Sequence, residues 1–200
     1  MLATLPDLPP CVVGITGTCQ PGGQDLAPSP EGLAVSKGFA YIADAAQGTI
    51  WRYSLATKQL TAWYSSSDLT NGPAGIAVDA KGDLLFTAVE TLDTNALLDG
   101  ALYRLEVTAS GPGARNLVAA FDRGSAPGPV ATSRTGVTYV GLRGTGSVVA
   151  VSAAGVVAPV AGAASVKDPA GLALAEGVLY VADAGKPATA TSGRVVAVPL

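Results

Sequence analysis

DPAGLALAEGVLYVAD, residues 168–183, decides the fold, because its pattern occurs three more times. The other copies are SPEGLAVSKGFAYIAD at 29–44, GPAGIAVDAKGDLLFTA at 72–88 and PGPVATSRTGVTYVGL at 127–142. Each copy begins on a small residue, passes a glycine and then runs into a second apolar stretch. Gly32, Gly75, Pro129 and Gly171 hold the same place in the four copies. Gly38, Gly82, Gly136 and Gly177 open each second apolar stretch, and Gly48, Gly100, Gly146 and Gly193 open each third.

Outward from these landmarks, the turn signals divide each unit into strands. The first unit predicts strands over 32–35, 39–43, 49–53 and 59–63. The second predicts them over 75–78, 83–87, 101–105 and 116–120, with the turn before its third strand swollen by ETLDTNALLDG at 90–100. Strands over 130–132, 137–141, 147–151 and 156–160 follow in the third unit. The fourth predicts 171–174, 178–182 and 194–198, one strand fewer. With the insertion set aside, the landmarks recur about every 42 to 45 residues, the period of a four-stranded propeller blade.

The expected fold is therefore an all-β propeller of four blades, 29–67, 72–121, 127–162 and 168–200, preceded by an extension at 1–28. Inner strands of a propeller crowd toward the axis, which suits Gly32, Ala34, Gly75, Ala77, Gly171 and Ala173. Outer strands have room for Trp51, Trp63 and Tyr103. The extension carries CVVGIT at 11–16, and its pairing outside 194–198 would complete the fourth blade. The alternatives are an arc of a larger ring, or an assembly in which 11–16 pairs with a neighbouring chain.

Composition narrows the chemistry. The chain has 200 residues, enough for one buried domain, with 12 Lys plus Arg against 15 Asp plus Glu, so nucleic acid is not an expected partner. Histidine is absent, which removes Ser-His-Asp and Cys-His catalysis and imidazole metal ligands. Neither a G-x-S-x-G elbow nor a phosphate-binding glycine loop occurs. The uncharged run 144–166 is broken by Ser147, Ser152, Gly155, Pro159 and Gly162, so it predicts paired strands rather than a membrane span.

Cys11 and Cys19 flank a short glycine-containing loop, and the simplest reading is a local disulfide and an extracellular or periplasmic protein. Two buried thiols in a reducing compartment are the other reading. MLATLPDLPP has neither a basic nor an apolar signal region, so no signal peptide is expected within the chain.

The repeat P-x-G-[LI]-A-[VL] followed by G-x-[LA]-Y-[IV]-A-D resembles the NHL-repeat propellers and the gluconolactonase/regucalcin-like family, over about residues 29 to 198. Propellers of that family usually have six blades, whereas this chain has four units. The resemblance implies a divalent, calcium-like cation at one mouth of the channel, where it would activate water to open a lactone. Glu31 matches the family's first ligand; Ala74, Gly128 and Ala170 stand where the other ligands belong. Asn71 and Asp168 are the remaining candidate oxygens at that mouth, and Asp183 is the candidate for handling a proton.

Beside a strand-exchanging subunit of an extracellular assembly, two functional readings follow. One is a non-catalytic module that binds a protein or glycan partner through a rim, with no resident cofactor. Its candidate rim residues are Trp51, Trp63 and Tyr64, with Glu90, Asp93 and Asp99 in the swollen loop. Packing between blades is the competing role for the tryptophans, and turn capping for Asp44 and Asp183. The other reading is the metal-dependent lactone hydrolase.

Overall fold

The structure, a computed structural model, describes residues 12–13, 19–20, 28–65, 71–89, 98–185 and 193–200. Every element in it is a β-strand. Blade 1 contains β3 (Pro30–Ser36), β4 (Phe39–Asp44), β5 (Thr49–Ser54) and β6 (Leu60–Ser65), in that spatial order. Blade 2 contains β7 (Asn71–Val78), β8 (Leu84–Val89), β9 (Leu98–Thr108) and β10 (Gly111–Asp122). Blade 3 contains β11 (Pro127–Thr132), β12 (Thr138–Leu142), β13 (Ser147–Val151) and β14 (Val157–Pro159). In blade 4, β15 (Pro169–Ala175), β16 (Val178–Asp183) and β17 (Arg194–Pro199) form a three-stranded sheet. The four sheets are the blades of an all-β propeller, as the repeat predicts.

The N-terminal strand is placed differently from expectation. Among the described residues, β1 (Val12–Val13) pairs antiparallel with β2 (Cys19–Gln20) and not with β17. The reason is proximity in sequence: closing a loop of five residues costs far less entropy than bringing 12–13 to the end of the chain. Cys11 and the side chain of Cys19 lie outside the described residues, as do Glu90, Asp93 and the side chain of Asp99.

Local chemistry accounts for the hairpins. Lys37 and Gly38 both have positive φ (49° and 82°), as do Glu176 and Gly177 (51° and 76°), so two-residue turns of the twist-matched kind join the first strands of blades 1 and 4. Blades 2 and 3 use longer turns held by side chains. Asp79 Oδ1 accepts from the N–H groups of Lys81 and Asp83 at 2.8 and 3.0 Å, and Ser133 Oγ from Val137 N–H at 3.0 Å. The uncharged run 144–166 contains β13 and β14, in the paired-strand form that its punctuation suggests. No helix among the described residues is long and apolar enough to cross a membrane.

Each blade packs its face on the next, making three seams. Tyr41, Ile50 and Trp63 of blade 1 meet Ile76, Phe86 and Tyr103 of blade 2. Leu85, Leu102 and Phe121 meet Val130, Val140 and Val149 in the second seam. Tyr139 and Val148 meet Leu179, Val181 and Val198 in the third. The inner strands follow the same order, β3 on β7, β7 on β11 and β11 on β15. Among the described residues no comparable packing joins β15 to β3.

The seams require small residues at the axis. A Cβ on Gly75 would lie 2.0 Å from the carbonyl oxygen of Gly128 in the next blade. Beside it, the buried Thr87 hydroxyl donates to that same oxygen at 2.6 Å and accepts from Gly75 N–H at 2.9 Å. Gly75→Val is therefore expected to destabilise the fold by about 3 kcal/mol through overpacking. Gly38→Ala, in open space but at positive φ, should cost only about 1 kcal/mol. Urea unfolding of the two variants checks the ranking.

Candidate functional site

The loops entering the inner strands converge on one mouth of the array, around a cavity of about 870 Å³. Small residues such as Ala45, Ala74 and Gly128 form much of its wall, and Glu31, Arg143, Lys167 and Asp168 supply its charge. In blades 1, 3 and 4 the second strand exits beside the loop that enters the same blade, which brings both segments to the mouth. Ala45 N–H donates to Ser29 O at 3.0 Å, Arg143 N–H to Ala126 O at 3.1 Å, and Ala184 N–H to Asp168 O at 2.9 Å.

Asp44 and Asp183 hold these junctions. Asp44 Oδ1 accepts from the N–H groups of Ser29 (3.0 Å) and Gln47 (3.2 Å), while Oδ2 accepts from Trp51 Nε1 at 3.3 Å. Asp183 repeats the arrangement in blade 4. Its Oδ1 accepts from the N–H groups of Lys167 (3.1 Å), Asp168 (2.9 Å) and Gly185 (3.2 Å), and Oδ2 from Arg194 Nε at 3.1 Å. Arg194 Nη2 also donates to Ser165 O. Both carboxylates are buried caps that tie a turn, an entering loop and a third-strand side chain together.

Burial alone would push the Asp183 carboxyl up, but the three N–H groups and the guanidinium outweigh it and hold the group below its ordinary 3.8. An ionised carboxylate with both oxygens occupied by donors is poorly suited to move a proton at neutral pH.

Glu31 and Asp168, candidates on sequence, do reach the same mouth, from blades 1 and 4. Between them stands Arg143 of blade 3, which the sequence reading passed over. Its Nε lies 3.1 Å from Asp168 Oδ1 and its Nη1 3.9 Å from Glu31 Oε2. A visible signal was present: Arg143 follows the second strand where the other blades have Ala45, Val89 and Ala184, so it is the one cation at that repeat position. The three groups are partly exposed, so their pairing contributes little stability and leaves them accessible. Asn71 opens β7, and its side chain lies outside the described residues.

The donor set at the mouth is thus two separated carboxylates with a fixed positive charge between them. A divalent cation at Glu31 would sit beside the Arg143 guanidinium, which lies 3.9 Å from Oε2 and whose like charge opposes it. Among the described residues no three Asp, Glu or Cys side chains gather closely enough to hold a metal ion.

The aromatic rim candidates are mostly interior. Trp63 is buried against Tyr41, edge-on with ring centroids 5.1 Å apart, and Trp51 is buried with its indole N–H on Asp44. Tyr64 is half-buried beside Phe86 at 6.2 Å. For Trp63 the physical reason is area: the seam between blades 1 and 2 has room for large rings, and burying them outweighs presenting them to water, whereas Trp51 is buried on the opposite face of blade 1.

Comparison with known proteins agrees with this architecture. The chain is similar to virginiamycin B lyase from Staphylococcus aureus with a TM-score of 0.54 and 14% identity, over 76% of this chain and 47% of the lyase. For a gluconolactonase from Xanthomonas campestris the TM-score is 0.59 at 12% identity, over 84% of this chain and 60% of that one. The computationally designed Ika4 protein matches with a TM-score of 0.57 and 14% identity, over 90% of this chain and 99% of the design. No protein-family model matches the sequence. No curated protein matches it either. At these identities the likeness is one of fold, and the chain spans about half the length of the lyase. It supports the sequence's resemblance to gluconolactonase-like propellers at that level.

Asp183 provides a pH test. Because its carboxyl is depressed in the folded state, its contribution is fully present above the unfolded carboxylate value. That contribution is lost as pH falls through the folded one. Asp183→Ala should cost about 1–3 kcal/mol at neutral pH by orphaning buried N–H groups. Urea unfolding at neutral and acidic pH should show the difference from wild type shrinking as the acid limb is crossed.

Proposed function

We propose that this chain is a non-catalytic binding propeller working outside the cytosol, and that it takes a protein or glycan partner at the mouth lined by Glu31, Arg143, Lys167 and Asp168. One observation carries the reading: the carboxylates at this mouth already have partners. Asp44 and Asp183 are spent on backbone caps, and Glu31 and Asp168 flank a guanidinium. The chain has no histidine to supply another acid or base. What the mouth offers instead is recognition chemistry. A partly exposed arginine and two carboxylates present charged donors and acceptors to hydroxyl, amide or charged groups, inside a recess large enough for a sugar or a side-chain cluster.

The compartment rests on the disulfide expected between Cys11 and Cys19, because such a bond belongs to oxidising surroundings. The competing reading is the metal-dependent lactonase, in which Glu31 holds a cation. Calorimetric titration with calcium, zinc and manganese, together with assays on simple lactones, separates the two. Wild-type protein should show neither metal binding nor turnover, while Arg143→Ala should weaken a glycan-array or protein ligand by about tenfold. Lactone hydrolysis that depends on an added cation and disappears in Glu31→Gln would overturn the proposal.

A further inference from the structure

The three seams share one recipe, and among the described residues both of its halves are exposed on the outer faces of blades 1 and 4. On the forward face of each blade, the residue two places after the third landmark glycine is buried in the seam. Ile50 and Leu102 are 0% exposed there and Val148 is 2%. The same place in blade 4 is Val195, and it is 68% exposed. Tyr180 occupies the position of the buried Tyr41, Leu85 and Tyr139, and it too is open to solvent. Pairing across the sheet puts Ala173, Tyr180 and Ala197 on one face and Ala182 beside Val195 on the same side, so the forward face of blade 4 is a continuous apolar surface.

The receiving face shows the converse. Ile76 and Val130, which receive the preceding blade, are 5% and 8% exposed, whereas the equivalent Leu33 is 64% exposed. Val35 beside it is open as well. On this face of blade 1, Ala40, Trp51 and Tyr53 are buried, so the free part runs along the inner strand β3. Inner strands are the parts that pack in each internal seam.

Glycine geometry gives an independent sign. A Cβ on Gly32 would meet Ala74 O of the next blade at 2.8 Å, and one on Gly75 would meet Gly128 O at 2.0 Å. Gly171 has the same landmark position, yet its nearest neighbour is Ala182 of its own blade at 3.4 Å. The room that the other two glycines provide for a following blade is left unfilled.

We propose that the occupant is a second copy of this chain, with β15 of each copy packing on β3 of the other. Continuity with the internal seams argues for it, because the surface needed opposite Val195 and Tyr180 is of the kind that blade 1 displays at Leu33 and Val35. Two copies joined head to tail satisfy both ends at once and close into a ring of eight blades with a two-fold axis along its centre. The proposal rests on the blade faces and not on the proposed ligand, although β3 and β15 begin at the mouth beside Glu31 and Asp168.

Sedimentation equilibrium over a range of concentrations tests it on the whole chain. Wild type should approach twice the 19.7 kDa mass of the monomer. Leu33→Glu and Val195→Lys, both at exposed positions, should each keep wild-type circular dichroism and remain monomeric. Mixing them should restore a dimer, because the mixed ring has one unaltered seam and one in which Glu faces Lys. Wild type that stays monomeric at the highest soluble concentration would overturn the proposal, and its end faces would then belong to a different occupant such as further blades. An open series of larger masses would overturn the closed ring. Dimers that survive either single substitution would show that these faces are not the contact.

Discussion

Backbone meets backbone where the inner strands converge, and everything else in this propeller is arranged around that approach. Gly75 lies against the Gly128 carbonyl with no room for a methyl group, and the Thr87 hydroxyl bonds the same carbonyl from the side. Such contact is possible only when the residue at the axis carries no side chain. Farther out the blades diverge, and larger side chains fill the widening gap, from Ala34 on the inner strand to Tyr41 and Phe86 on second strands and Trp63 on the outer strand. The wedge shape of each seam is thus written in the gradient from glycine to tryptophan.

The electrostatics of the mouth follow from the same convergence. Bringing several chain reversals close together concentrates unpaired N–H groups, and buried N–H groups need acceptors. Asp44 and Asp183 provide them, each serving as a hub for a turn, an entering loop and a third-strand side chain. Their burial is tolerated because every oxygen is met by a donor. What reads as an acidic repeat motif is therefore a structural post, and the accessible charge at the mouth comes from Glu31, Arg143, Lys167 and Asp168 instead.

A stack of wedges has two ends unless it closes. Here the recipe that forms three seams is present a fourth time in chemistry but not in contact: Val195 and Leu33 have the residue type of their buried counterparts and the exposure of surface residues. Apolar area of this kind is costly to leave in water. That makes the end faces, rather than the mouth, the part of the molecule whose surroundings matter most for its stability.

By itself the sequence determined the blades. Recurring glycines located the turns, and alternation marked the strands, so β3 to β17 lie within a few residues of where the repeat places them. Strand position is a local property, set by turn chemistry and by which side chains fit a pleated sheet. The sequence also brought Glu31 to notice, through its resemblance to the gluconolactonase-like propellers, and Asp168, as a polar residue in the loop entering the fourth unit. Only the tertiary structure decided what these groups do. It set Arg143 between the two carboxylates, turned Trp51 and Trp63 inward, and paired Val12–Val13 with Cys19–Gln20 instead of the last blade. Among the described residues it also left β15 without packing on β3 comparable to the three internal seams. Those outcomes depend on the angle between successive sheets and on which distant side chains meet across the axis, and neither is encoded in the spacing of residues along one strand.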